Sequence, residues 1–211
     1  MKLGIIEQLQ WRYATKAFNS EKFLTEEQLS TLLQAFNLTA TSYGLQPIKL
    51  VVVKNKEKQK QLVAASMGQK QVEQASHVLV FCIQTSIDKE FVTEYFDRVH
   101  NIRNTPKTVL KPFKNFLIDD FENKSQDQIE VWATHQAYLA MGNLMTVCAM
   151  EGIDACPMEG FEAHKYDELL GLTPKGLRSV LVMPIGFRAD DDMFASFKKV
   201  RKDLEDSVVI W

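Results

Sequence analysis

"SQDQIEVWATHQAYLAMGNLMTVCAMEG", residues 125 to 152, is the stretch on which the architecture turns. Ser125, followed three residues later by Gln128, has the form of a capping box, in which two side chains satisfy N–H groups that a helix start leaves free. Ile129, Trp132, Tyr138, Leu139, Leu144, Met145 and Val147 then keep helical spacing as far as Gly152, which makes this the longest helix the sequence predicts. Its second half, AYLAMGNLMTVCAM, is apolar nearly all round. A helix of that kind is buried in a large core or pressed against a partner subunit, because no face is left for water.

What it packs against lies on either side. HVLVFCIQ (77 to 84), PIKLVVVK (47 to 54) and SVLVMPIGF (179 to 187) are short, β-branched and nearly continuous in apolar character, the pattern of strands covered on both faces. The residues between the first two are of helical composition. Thr25 to Gln28 forms another capping box, and Leu29, Leu32, Leu33 and Phe36 share one face of a helix that ends before Gly44. Leu3, Ile5, Ile6 and Leu9 suggest a short helix ended by the AFNSEKF segment. From Asp88 to Asn123 two helices are predicted, divided at Asn104-Thr105-Pro106, with Thr105 as cap and Pro106 in the first turn. No repeat, low-complexity tract or Pro/Gly-rich linker divides the 211 residues, so one α+β domain is expected.

Composition limits the function classes. Lys plus Arg number 25 against 27 Asp plus Glu, a formal charge of −2, so nothing global draws the chain to nucleic acid or an anionic membrane. Any anion site must be local. Cys82, Cys148 and Cys156 form no CxxC pair and sit in apolar stretches, which fits a reducing compartment. With no signal-peptide pattern and no run of about 18 apolar residues, a cytoplasmic protein is expected. The four histidines are scattered, with no HExxH or paired Cys/His spacing, and no metal is expected. GxSxG, GxxxxGK[ST] and GxGxxG are all missing, so a bound phosphate would have to be held by side chains.

Three places could do so: QWRYATKAF (10 to 18) with Arg12 and Lys16, the ACPMEGF turn (155 to 161), and Lys198, Lys199 and Arg201. Each has a plainer reading. Arg12 and Lys16 could complement the negative end of the first helix, the turn could merely join elements, and the late cations could be a solvated face.

In order along the chain these segments resemble the flavin-dependent nitroreductase family, closest to its oxygen-insensitive NAD(P)H nitroreductases and dihydropteridine reductases. RYATKAF is similar to the family's N-terminal R-[HYR]-[ST]-x-[KR]-x-[FY] signature, GLQPIKLVVV to its N-x-Q-P-W-x-[FI]-x-V strand, and ASHVLVFC to its A-S-H-[VL]-[IV]-V-F strand. CPMEGF resembles its P-[IM]-E-G-[FY] turn and KKVR its closing K-x-R.

The resemblance implies a homodimer with a central mixed sheet of four to five strands surrounded by helices. It implies FMN, with NADH or NADPH as hydride donor and a nitroaromatic, quinone or related small molecule as acceptor. Dihydropteridine reduction, another reductive reaction of the same fold, and a flavin-binding dimer without turnover are the alternatives. Arg12, Lys16, Lys199 and Arg201 match the phosphate-binding cations, and Tyr13 and Ala14 lie within that signature. Pro157, Met158, Glu159 and Gly160 match the segment laid against the flavin ring, where Glu159 and Gly160 act through main-chain N–H groups. Ser42 and Gln71 match further flavin contacts. Two positions depart from the family pattern: Gly44 stands where an asparagine is usual, and Gly68 where another is. The helical excursion at 89 to 123 covers the active site, with Phe113, Phe116 and Phe121 as candidate substrate contacts. A C-terminal extension, about 198 to 211, reaches across the partner.

Overall fold

Strand β2 (His77–Gln84) is buried along all but its last residue and holds the centre of a sheet. In the computed structural model, which describes residues 4–211, four strands pair in the order β1-β2-β4-β3, with β1 at Ile48–Val53, β3 at Asp154–Ala155 and β4 at Leu177–Gly186. Leu3 lies outside the described residues. Val51 faces Val80 and Val80 faces Val182, so branched side chains stack across the middle of the sheet. A bulge between Phe81 and Cys82 shifts the β2–β4 register.

The expectation of a mixed sheet needs correction: among the described residues every strand pair is antiparallel, and parallel pairing is confined to the Ala14–Ala155 bridge. β1 differs from the sequence reading as well. It is an edge strand and mostly half-buried, whereas β2 and the second half of β4 are covered on both faces. Continuous apolar character alone does not separate an edge strand from a central one.

Two cores lie on the two faces of the sheet. One forms beneath α7 (Gln126–Met150), where Ala133, Ala137, Ala140 and Leu144 meet Leu79, Phe81, Leu181 and Met183. Ser125 caps this helix as expected, its Oγ accepting from Gln128 N–H. Leu32 of α2 (Glu26–Asn37) joins the same core. The other core gathers Leu62 of α3 (Lys56–Ala64), Val72 of α4 (Gln71–Gln74) and Tyr166 of α8 (Ala163–Leu170) against Val78, Val80 and Val182. A third cluster, around Val92, Phe96, Leu117 and Phe121, holds α5 (Lys89–Arg103) to α6 (Lys107–Glu122).

The break between α5 and α6 differs in detail from the sequence reading. Asn104 ends α5 in the left-handed region at φ 54°, Pro106 itself occupies the cap position of α6, and the Thr105 carbonyl receives the ring of His100 instead of Thr105 capping a helix. α1 (Ile5–Trp11) forms, but Ile5 and Ile6 on it remain exposed, so its apolar face is not covered within this chain. The last helical turn, α9 (Leu204–Ser207), leads into an exposed Val208 to Trp211 segment.

Candidate functional site

The segment after α1 is held extended by partners far away in sequence. Thr15 is fully buried and directs its hydroxyl inward to the Asp154 carboxylate at 3.5 Å, while Ala14 bridges Ala155 and Thr15 N–H donates to the Ala155 carbonyl. Arg188 closes on Asp154 from the other side: Nη2 lies 2.6 Å and Nε 2.9 Å from Oδ1, and the Arg188 N–H reaches Oδ2. The guanidinium is also stacked over the rings of Trp11 and Tyr13, 4.3 and 4.6 Å from their centres. One buried carboxylate, one arginine and two aromatic rings thus fix the course of residues 11 to 15.

Asp192 does the same for the next stretch. Its Oδ2 accepts from the backbone of Lys16 (2.8 Å) and Ala17 (3.0 Å) and from the Tyr13 hydroxyl (2.9 Å), and Oδ1 accepts from Phe194 N–H. Burial would raise this carboxyl, but the hydrogen bonds from Ala17, Lys16, Tyr13 and Phe194 outweigh it and hold it below the usual carboxylate range. Tyr13 is shifted upward, by burial first and then by its bond to Asp192.

With both chain segments fixed, a cleft of about 520 Å³ opens between them, bordered by Arg12, Tyr13, Ala14, Lys16 and Pro157 on one side and Lys199 and Arg201 on the other. Burial lowers the pKa of Arg12 and the neighbouring Arg201 lowers it further; Lys199 is lowered by burial and then by Arg12 and Arg201. The cations therefore repel one another. Among the described residues none of Arg12, Lys16, Lys199 and Arg201 forms an ion pair with a carboxylate. Lys199 Nζ instead donates to the Arg12 carbonyl. Lys16 Nζ rests 3.9 Å from the buried Cys156 sulfur, whose thiol burial pushes up against the opposing influence of Lys16.

The PMEG turn follows Cys156 directly. Met158 exchanges both backbone hydrogen bonds with Val182, so the turn is fastened to β4 up to that residue. Beyond it the strand pairing stops. Phe161 N–H donates to the Glu159 carbonyl at 2.9 Å, while the N–H groups of Glu159 and Gly160 have no acceptor among the described residues. The Glu159 carboxylate is turned to the α7 surface, where Tyr138 donates to it at 2.7 Å. Gln71 is buried and touches the same Cys156 sulfur at 4.0 Å.

The other expected contacts lie elsewhere on this chain. Ser42 begins a short 3₁₀ turn, its N–H bound to Gln136 Oε1, and the next residue, Tyr43, packs its ring edge against Phe113 at 6.2 Å. Phe113 and Phe116 are exposed and stacked 12° from parallel, whereas Phe121 is buried against Trp132 and belongs to the core. None of these borders the cationic cleft of the same chain.

One of the two departures from the family pattern, Gly44, has a local cause. Gly44 sits at φ +75°, and a Cβ there would stand 2.6 Å from the Tyr95 hydroxyl, so Tyr95 fills the space a side chain at 44 would need. Gly68, at φ +71°, follows Met67 at φ 55°, and these two left-handed residues reverse the chain after α3; asparagine and glycine are the residues that enter that region most readily.

A sequence model of the Nitroreductase family matches residues 9–187, a span that includes the extended segment after α1, the PMEG turn and the four strands described above. The chain belongs to this family. An oxygen-insensitive NAD(P)H nitroreductase of Salmonella typhimurium is 30% identical over 92% of this chain and 93% of its own length. A Staphylococcus epidermidis protein provisionally named an NAD(P)H nitroreductase is 34% identical over 100% of this chain and 98% of its own. Among solved structures, a provisionally named nitroreductase of Exiguobacterium sibiricum, determined in complex with FMN, superposes with a TM-score of 0.83 at 20% identity, covering 99% of this chain and 98% of that one. No helix among the described residues of this nitroreductase-family chain is long and apolar enough to cross a membrane, and no group of three or more His, Cys, Asp and Glu among them is placed to hold a metal ion.

Sequence reasoning singled out the cations and the turn but not Asp192, Arg188 or Gln69. The first two stand in GFRADDDMF, a stretch with no periodicity or motif, and the side chains they bind, Tyr13 and Asp154, are 179 and 34 positions away. Gln69 lies two residues before Gln71, and its contact with Gly160 spans 91 positions.

Proposed function

We propose that the chain is an FMN-dependent NAD(P)H oxidoreductase that works as a homodimer. The observation that carries this is the cluster of Arg12, Lys199 and Arg201: three cations gathered on one cleft, with no carboxylate paired to them among the described residues, beside a turn that offers two unengaged N–H groups. A phosphate relieves that repulsion through charge-assisted hydrogen bonds. Lys16 joins them from the floor of the cleft, and Tyr13 and Ala14 supply its wall.

The residues fit the rest of FMN as well. Pro157 and Met158 would bring the turn to the flavin, Glu159 and Gly160 would offer it main-chain N–H groups, and Gln71 would serve its pyrimidine edge. When bound, FMN supplies a ring that takes a hydride from NADH or NADPH and passes two electrons to an acceptor in the same pocket, which gives ping-pong kinetics. The protein needs no titrating side chain for this, because N–H dipoles fixed beforehand favour the negative charge that hydride brings. The Glu159 carboxylate, engaged by Tyr138, is accordingly assigned a supporting role and not that of a general base.

Ser42, Phe113 and Phe116 lie away from the cleft of their own chain and are assigned to the pocket of the partner. Flat acceptors such as nitroaromatics and quinones suit the exposed Phe113–Phe116 stack. The whole chain is taken as one FMN-binding domain, with the excursion at 89 to 123 and the extension at 198 to 211 completing the two pockets of the dimer. The test is direct: purified protein reconstituted with FMN is yellow, bleaches with NADH or NADPH without air, and recolours with menadione. Colour that persists under NAD(P)H would leave a flavin-binding dimer without turnover.

A further inference from the structure

Gln69 stands outside every motif, yet among the described residues its side chain is the one hydrogen-bonded to Gly160, at the far end of the PMEG turn. Its Nε2 donates to the Gly160 carbonyl at 3.0 Å, and its Oε1 accepts from Gln71 Nε2 at 2.8 Å. The second bond decides the first: with Oε1 committed to Gln71, the amide must present its N–H₂ side to Gly160. Its backbone is equally fixed, with Gln69 N–H on the Ser66 carbonyl and Val72 N–H on its own carbonyl, immediately after the left-handed pair Met67 and Gly68.

The peptide planes of the turn are thereby set one after another. The Gly160–Phe161 plane is held at its N–H by the Glu159 carbonyl and at its carbonyl by Gln69. The Glu159–Gly160 plane is held at its carbonyl, and because a trans peptide directs its N–H opposite to its C=O, the Gly160 N–H is aimed away from the turn. Glycine has no side chain to restrict φ and ψ, so without this outer tether the plane after Gly160 is left with the single bond from Phe161 N–H to the Glu159 carbonyl.

We infer that Gln69 is a positioning residue, which holds the turn so that its N–H groups face the reactive edge of the flavin and which thereby sets how strongly the reduced flavin is favoured over the oxidised one. The inference rests on the FMN reading above. Two-electron reduction with uptake of one proton adds one negative charge to the ring, and fixed N–H dipoles stabilise that charge, while the phosphate is held by Arg12, Lys199 and Arg201 at a separate place. Gln69 therefore bears on potential and the cations bear on affinity.

Gln69→Met keeps the length of the side chain and adds no charge but cannot donate. The full-length variant is expected to bind FMN within about threefold of wild type and to melt within a few degrees of it, while reduced flavin loses about tenfold relative to oxidised flavin. For a two-electron couple that is a fall in midpoint potential of about 30 mV. FMN affinity is read from flavin fluorescence and potential from dye-equilibrated reduction, so neither depends on turnover. Gln69→Leu, also neutral and without a donor, is expected to fall in the same direction and serves if the first variant does not fold. An unchanged potential in a variant that binds FMN would overturn the assignment, and so would a joint loss of affinity and melting temperature at unchanged potential, the signature of a purely structural role. If the wild-type chain itself bound no FMN, the functional reading would fall first and this inference with it.

Discussion

At the scale of single residues, Arg12 separates a phosphate clamp from a helix-end charge. A charge-assisted hydrogen bond is worth about 1.5 to 3 kcal/mol, so Arg12→Ala should weaken FMN roughly ten- to a hundredfold. Riboflavin, which lacks the phosphate, should bind the variant nearly as it binds wild type, and adding Arg201→Ala should deepen only the FMN defect. Equal losses for both flavins would assign Arg12 to the helix end, where about 0.3 to 1 kcal/mol is at stake. Glu159 and Gly160 divide in a comparable way. Glu159→Ala gives up the bond from Tyr138 and should keep flavin reduction within about tenfold. Gly160→Val should cost far more. A Cβ at 160 meets only Met67 Sδ and Gln69 Nε2, both at 3.5 Å, so the protein itself accommodates the first carbon and the damage falls on the approach of the ring. Stopped-flow reduction by NAD(P)H ranks the two, and the reverse order would remove the main-chain assignment.

At the scale of elements, the segment 12–18 owes its place to Asp192 and Arg188 more than to anything adjacent in sequence. Asp192 is held below its ordinary range, so its stabilising effect is present in full above the unfolded carboxylate pKa near 3.9 and is lost as pH falls through the lower folded value. Asp192→Ala should cost about 3 kcal/mol at pH 7 by leaving three N–H groups and the Tyr13 hydroxyl without their acceptor, and the variant should show a flatter loss of stability on acidification below about pH 4. Urea unfolding at pH 7 and pH 3 measures both effects; a difference between wild type and variant that did not shrink at pH 3 would contradict the assignment. The contrast with α7 explains what the sequence disclosed. Ser125 and Gln128 cap that helix from three residues apart, and the apolar residues behind them repeat with the helical period, so the element was legible from its own letters. The three longer strands were legible for the same reason, while their antiparallel order was not, because pairing is decided between segments. The cations of the cleft were legible through the family resemblance. The carboxylates that fix the chain around them act over 139 to 179 positions through single contacts, which leave no local pattern.

At the scale of the molecule, several apolar surfaces remain uncovered on one chain. They are Ile5 and Ile6 on α1, Val131 and Leu139 on α7, and Val208 to Trp211, where Ile210 is 91% exposed. The homodimer proposed above would cover them and would bring Ser42 and Phe113 to a cleft other than that of their own chain. Obligate interfaces bury roughly 2,000 to 5,000 Å² in total, a span suited to patches this dispersed. Sedimentation at micromolar protein should therefore show a dimer, and deleting Ser207 to Trp211 should shift it measurably toward monomer. A wild-type monomer would remove both the dimer and the shared pocket.

The Tyr95 hydroxyl beside Gly44 constrains how this sequence can drift. A side chain at 44 would have to displace the Tyr95 hydroxyl and also adopt φ +75°, which asparagine does more readily than other side chains, and freeing the space requires a change at 95 that by itself only leaves a gap. The two sites are thus bound in sign epistasis: Gly44→Asn alone should be selected against, Tyr95→Ala alone should cost modestly, and the double variant should recover part of the loss. Lineages descended from such a sequence should carry glycine with tyrosine, or asparagine at 44 with a smaller residue at 95, and seldom the mismatched combinations. A deep mutational scan of the 44/95 pair would expose that ridge, and independent, additive effects at the two positions would show that it does not exist.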